Sequence, residues 1–258
     1  LNEPQARRPG ALVPGLVSIA VLVAVWAVAA AVSDDPRRLP SPMTVLERLV
    51  GIAATGELWF HSGMTLMRVA LAFVIAMALG GALGLWMGRS AAADRWLNPT
   101  LLVLLNIPAL VVIVLCYIWI GLNETAAIIA VALNKIPTVA VILREAARTL
   151  SPALDDMAGV FRMGWLARLR HVILPQLAPA IAAAARSGIA LIWKIVLVVE
   201  FLGRSNGVGF KIHLLFSSFD VAGVLAWALA FVAVMLLIDL GLLRPWQARA
   251  NRWRQDAP

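Results

Sequence analysis

Cysteine occurs once in the 258 residues, at Cys116, so no disulfide can form within one chain, and its apolar neighbours make it a buried small hydrophobe. Charge is scarce too: 14% of residues are charged, against about 25% in soluble domains. Acids are the scarcer sign, with 14 Asp and Glu facing 22 Lys and Arg, which leaves a net charge of +8. The histidines His61, His171 and His213 are scattered without His-Glu-x-x-His spacing, which argues against a metal site. There is no Gly-x-x-x-x-Gly-Lys-Ser/Thr loop, so any ATP used must be bound by another polypeptide. Among the acids, only Glu200 and Asp239 lie deep in or near the end of an apolar run. An intramembrane enzyme would need clustered carboxylates, or a nucleophile beside a base. No repeat of roughly 20 to 50 residues is visible, which excludes a solenoid or array.

Apolar sequence fills the space. Hydrophobic residues make up 62% and the mean hydropathy is +0.88, which identifies an all-α polytopic membrane protein. A spanning helix needs about 20 apolar residues, and six runs qualify. They lie at 11–32, 66–88, 101–120, 125–143, 178–200 and 221–243, the third and fourth joined only by Gly121-Leu122-Asn123-Glu124. The bases sit in short loops between runs, with no basic patch interleaved with aromatics, so they orient the chain in lipid and do not indicate nucleic acid.

Between the fourth and fifth runs lies DMAGVFRMGWLARLRHVILPQLAP, Asp156 to Pro179, basic through Arg162, Arg168 and Arg170. Positive loops are retained in the cytoplasm. With this loop inside, alternation puts thirteen arginines on the cytoplasmic side, Arg7, Arg8, Arg89, Arg95, Arg144 and Arg148 among them, against Arg37, Arg38, Arg48, Arg204 and Lys211 outside. Both termini are then cytoplasmic. The first run follows Arg7-Arg8 as a signal peptide would, but it exceeds the roughly 7 to 15 residues of a signal core and is expected to stay as a span.

Residues 33–65 form the longest external segment, where Pro36, Pro40 and Pro42 forbid a continuous helix. Val45, Leu46, Leu49, Val50 and Ile52 recur at near-helical spacing, predicting a short helix on the outer membrane surface. Gly80, Gly84 and Gly88 recur every fourth residue in the second run and predict a close helix-packing face. The organisation expected is residues 1–62 as N-terminal tail, first span and interfacial helix; 63–243 as a core of five spans with a coupling loop at 150–177; and 244–258 as a basic cytoplasmic tail.

The loop resembles the signature of ATP-binding-cassette importer permeases, in which Glu-Ala-Ala, Gly and Ile-x-Leu-Pro recur at fixed spacing. Asp156-Met157-Ala158 stand at the first three positions, Arg162 at the Gly and Val172-Ile173-Leu174-Pro175 at the last element. The literal Glu145-Ala146-Ala147 upstream has the wrong spacing. Arg in place of Gly predicts a turn that departs from the family's. The resemblance extends over roughly 39–240 and points to the nitrate, sulfonate and taurine group. It is carried by Leu39-Pro40-Ser41-Pro42, Thr65-Leu66, Arg68-Val69, Asn106-Ile107-Pro108-Ala109, the steps Arg186, Trp193 and Glu200, and Gly203, Gly207, Val208 and Gly209.

That resemblance implies a type I ABC importer permease fold of six transmembrane helices with a cytoplasmic coupling helix, in the bacterial cytoplasmic (inner) membrane. It also implies two permease copies, a separate ATPase subunit holding ATP and Mg, and a periplasmic or extracytoplasmic solute-binding protein; a passive channel would lack that coupling. The coupling residues expected are Asp155, Asp156, Met157, Ala158, Phe161, Arg162, Gly164 and Pro175, with Asp155-Asp156 in the first turn of a short helix after Pro152. Asn134, Lys135, Trp193, Lys194 and Glu200 are expected to line a path for a small anion, since cations in mid-span must avoid lipid and face the bundle interior.

Overall fold

The computed structural model describes residues 12–33 and 35–243, and among these the only regular structure is helical. The expected tails 1–11 and 244–258 lie outside the described residues. The chain divides into two compact units, one of residues up to Trp59 with Ile212–Ala230, the other of Phe60–Lys211 with the chain from Phe231 onward.

In the first unit, α1 (Leu12–Ser33) is apolar on all sides and almost wholly exposed, as a helix in contact with lipid is. The Pro40 carbonyl accepts a hydrogen bond from Trp26 Nε1 at 3.1 Å, which holds α1 to the proline-rich turn. Ser41 caps α2 (Pro42–Ala54) by accepting from the Thr44 N–H, with Pro42 at a helix start where its missing N–H costs nothing. Val45 is buried and Leu49 and Ile52 partly so, while Leu46 and Val50 are exposed. Asp220 closes this unit by accepting from the Gly223 N–H at 2.9 Å and pairing with Arg48 at 2.8 Å.

The second unit is built around α6 (Glu124–Arg148), capped by Asn123 and buried along most of its length by small residues such as Ala126, Ala130 and Ala140. It packs against α4 (Ala91–Asn106), α5 (Ala109–Ile120) and α9 (Leu174–Gly203). From α3 (Glu57–Arg89), the glycine stripe meets it as expected. A Cβ on Gly80 would lie 2.7 Å from the Ile136 carbonyl oxygen and one on Gly88 2.6 Å from that of Arg144, while one on Gly84 would strike the Ala140 carbonyl. Tyr117 donates to the Val199 carbonyl at 2.7 Å and ties α5 to α9. Cys116 is buried.

Among the described residues five helices are long and apolar enough to cross a membrane, or six if the bent pair α4–α5 counts as one span. That pair corrects the continuous third span expected at 101–120. The chain breaks at Ile107-Pro108 and turns by 96°, because Pro108 has no N–H for a helical bond and forces extended backbone on Ile107. After α9 come α10 (Val208–Ser217) and α11 (Val221–Ile238), the latter followed by a π-helical turn.

Candidate functional site

The coupling loop begins where α6 ends. Ser151 and Pro152 start α7 (Pro152–Val160), and the Ser151 N–H donates to Gln176 Oε1 at 3.0 Å, so the loop's entrance is tied to the start of α9. Met157, Val160, Phe161 and Gly164 are all exposed, Val160 at 80% and Phe161 at 73%, whereas Ala158 is buried beneath them. Helical spacing of Met157, Val160, Phe161 and Gly164 predicts one helix over 156–164; the helix instead ends at Val160, so Met157 and Val160 lie on α7, Phe161 caps it and Gly164 stands at the start of the next helix. Asp156 is exposed. Asp155 is turned inward instead: it accepts from Arg89 Nη2 at 2.7 Å and pairs with Arg168 Nη2 at 2.9 Å. The Arg89 hydrogen bond, reinforced by Arg168, holds the Asp155 carboxyl below the usual aspartate range.

Arg162 has a φ of 48°, the left-handed conformation that glycine adopts freely, so a residue with a side chain occupies a backbone conformation suited to glycine. The Met163 N–H donates to the Ala158 carbonyl at 2.9 Å and the Arg162 N–H to Gly159 at 3.0 Å, which is the Schellman closure of a helix C-terminus. Then come α8 (Trp165–Arg168) and a π-helical turn, Leu169–Ile173, leading into α9. In the π turn the Leu174 N–H reaches back to the Leu169 carbonyl, just before Pro175, which has no N–H to give.

At the other end of α9 a buried ion cluster forms. Arg68 on α3 is 1% exposed and its guanidinium is fully engaged. Nε and Nη2 grip Glu124 at 2.7 and 3.0 Å; Nη1 donates to Glu200 at 2.6 Å and to the Asn206 carbonyl at 3.0 Å; Nη2 also meets Asn206 Oδ1. Glu124 also pairs with Arg204 at 2.6 Å. Glu200 Oε2 accepts from Thr65 and from the Gly209 N–H, each at 2.9 Å. His61 Nδ1 accepts from the Gly207 N–H at 3.0 Å. Gly207 has φ 109°, and no side chain fits there because a Cβ would strike the Glu200 carboxylate.

This cluster corrects the reading of Glu200 as lining a path: it is 0% exposed and serves as the anchor of the 204–209 turn. Trp193 is also buried, edge-on to Phe231 at 6.2 Å, and Asn134 donates back to the Ala130 carbonyl. The two lysines separate. Lys135 does face the interior, 1% exposed, with no hydrogen-bond partner for Nζ, and its stem lies against Gly188 of α9. Lys194 does not: it is exposed on a face of α9 that also shows Ala183, Arg186, Ser187, Ala190 and Val198.

Apolar helices long enough to span, joined by a loop that exposes Met157, Val160 and Phe161, define a polytopic membrane protein. The family model described as "Binding-protein-dependent transport system inner membrane component" matches residues 76–244, and the chain belongs to that family. It is a multi-pass inner-membrane permease subunit of an ABC importer, in which ATP hydrolysis belongs to a separate ATPase subunit. The chain is 28% identical to SsuC of Bacillus subtilis (strain 168), a permease provisionally named for aliphatic sulfonates transport, over 99% of this chain and 92% of that one. It is 29% identical to the taurine transport system permease TauC of Escherichia coli (strain K12), over 93% and 89%. A solved structure of the inward-facing MetNI methionine ABC transporter superposes with a TM-score of 0.59 at 17% identity, covering 75% of this chain and 94% of that one.

The sequence reading missed Arg68, Glu124, Asn206, Arg89 and Arg168 as site residues. A signal existed for Arg68, which shares with Lys135 the cost of a cation within a span, a cost that demands a partner. Its partners lie in segments far away in sequence, and no local spacing joins them.

Proposed function

We propose that this chain moves a small anion of the sulfonate, taurine or nitrate class into the cytoplasm by alternating access, as one of two permease copies. The observation that carries the reading is the exposed face of α9. Lys194 stands exposed on it, within α9. A cation facing lipid costs at least about 2.5 to 3.5 kcal/mol, so this face needs protein or water against it. A second permease copy and an aqueous path between the copies satisfy that need. The sulfonates and taurine in the names of the relatives fit a path lined by positive charge.

The Met157, Val160 and Phe161 ridge docks into the ATPase, which holds ATP and Mg, and a solute-binding protein delivers the anion from outside. Both termini and the coupling loop are cytoplasmic on this reading. Lys135, buried where α6 meets α9, lends its positive charge to the path from behind the exposed face, whereas Arg162, exposed in the loop, pairs with an acidic residue of the ATPase.

The test is uptake of labelled taurine, ethanesulfonate and nitrate into proteoliposomes holding the permease, its ATPase and its solute-binding protein. Lys194→Met cuts uptake of the transported anion while the complex still assembles; full uptake by both Lys194→Met and Lys135→Met sinks the anion path. Asp156→Lys abolishes ATP-driven uptake without affecting membrane insertion, and normal uptake by that variant refutes the coupling role of α7. Unchanged assembly in Arg162→Glu removes the ionic contact with the ATPase.

A further inference from the structure

Asp155 stands between the coupling helix and the transmembrane core. Its carboxylate bridges Arg89, the last residue of α3, and Arg168, the last of α8. Beside the bridge lies an open cleft of about 760 Å³, lined among others by Gly88, Arg148, Pro152, Asp156 and Val160. Gly159 of α7 lines the same cleft, and a Cβ there would meet nothing within 4 Å. Across this cleft the Asp155 carboxylate ties α7 to the end of α3 and to α8 by charge-assisted bonds, which hold their partners at a fixed distance.

The far side of the link is stiff. Arg89 ends the helix whose glycines lock onto the α6 backbone and whose Arg68 is held by Glu124 and Glu200. A pull on Arg89 therefore reaches α6 and α9 together. We propose that Asp155 is the positioning residue through which movement of α7 is passed to the α3–α6–α9 block, its task being the ion bridge to Arg89 and Arg168 and not contact with the ATPase. This rests on the reading of α7 as the ATPase-docking helix and of the α9 face as the path.

The test uses the permease–ATPase complex in proteoliposomes, with Ala190→Cys on the exposed face of α9 as reporter. Labelling by a water-soluble maleimide is measured with and without ATP and vanadate, per bound ATPase subunit; buried Cys116 is the background, read in the chain without Ala190→Cys. With Asp155 intact, ATP changes the labelling rate. Asp155→Asn and Arg89→Gln each shrink that change by about tenfold, Asp155→Glu restores it, and the double variant is no worse than either single one, as for two ends of one link. A full response in Asp155→Asn, or losses that multiply in the double variant, overturns the proposal. If Asp155→Asn does not accumulate in the membrane, Arg89→Gln decides, and an unchanged response there overturns it equally. Absence of any ATP response in the otherwise native chain overturns the α9 path reading and this proposal with it.

Discussion

Arg68 Nη1 and Glu200 Oε1 stand 2.6 Å apart although 132 residues separate them in the chain. Both are buried; removing Arg68 leaves the Glu200 carboxylate with no cation, while removing Glu200 leaves Arg68 with Glu124 as its one remaining carboxylate. Breaking a buried pair from one side costs roughly 3 to 5 kcal/mol, because an uncompensated charge is left behind. Arg68→Ala and Glu200→Ala should each lower the thermal unfolding midpoint in detergent severely, and the double variant should lose less than the sum of the two. Additive losses would mean that the two residues act independently.

Lys135 presents the opposite case. Its Nζ is buried without a hydrogen-bond partner, so Lys135→Met removes an unsatisfied cation and keeps most of the packing volume. Chemical or thermal unfolding should show the variant more stable by about 1 to 3 kcal/mol. A loss of stability would indicate a partner for the ammonium that the structure does not show.

At Arg162 the left-handed backbone costs a side chain roughly 1 to 2 kcal/mol that glycine does not bear. Arg162→Gly should therefore strengthen the end of α7, reversing the loss expected for an ordinary helical position. Hydrogen exchange at the Met163 amide, which donates to the Ala158 carbonyl, should slow in Arg162→Gly and quicken in Arg162→Val.

Two glycines give a paired test of packing. Gly84→Ala would drive a methyl group into the Ala140 carbonyl, backbone that cannot yield, and should destabilise by about 1 to 3 kcal/mol. Gly159→Ala on α7 meets open space and should stabilise the isolated permease by up to about 1 kcal/mol through helix propensity. Similar effects from the two would contradict the close approach of α3 to α6.

The pH dependence of the loop follows from Asp155. Its folded pKa is depressed, chiefly by the Arg89 hydrogen bond, so its stabilising contribution is present above the unfolded value of about 3.9 and is lost as pH falls through the lower folded value. Protease resistance of the 150–177 loop should hold from neutral pH down to about 4 and fall only below that. Asp155→Asn should remove this acid limb; an identical limb in the variant would assign it to another group.

Sequence alone determined the membrane class and most of the apolar helices, because each depends on residues close together in the chain; the break at Ile107-Pro108 inside the expected third span was not read from it. Runs of about 20 apolar residues, prolines that bar helix, and Met157, Val160 and Phe161 at helical spacing are local facts. The glycine stripe announced a close approach, also locally. Tertiary structure decided which polar groups meet. The Glu200 carboxylate is satisfied by Thr65, Arg68 and Gly209, and the Asp155 carboxylate by Arg89 and Arg168, in each case from separate helices. A charge inside a span tells from sequence that it needs a partner. Only the packing of α3 against α6 and α9 says which partner, and whether a lysine such as Lys135 or Lys194 ends up inside the bundle or on its open face.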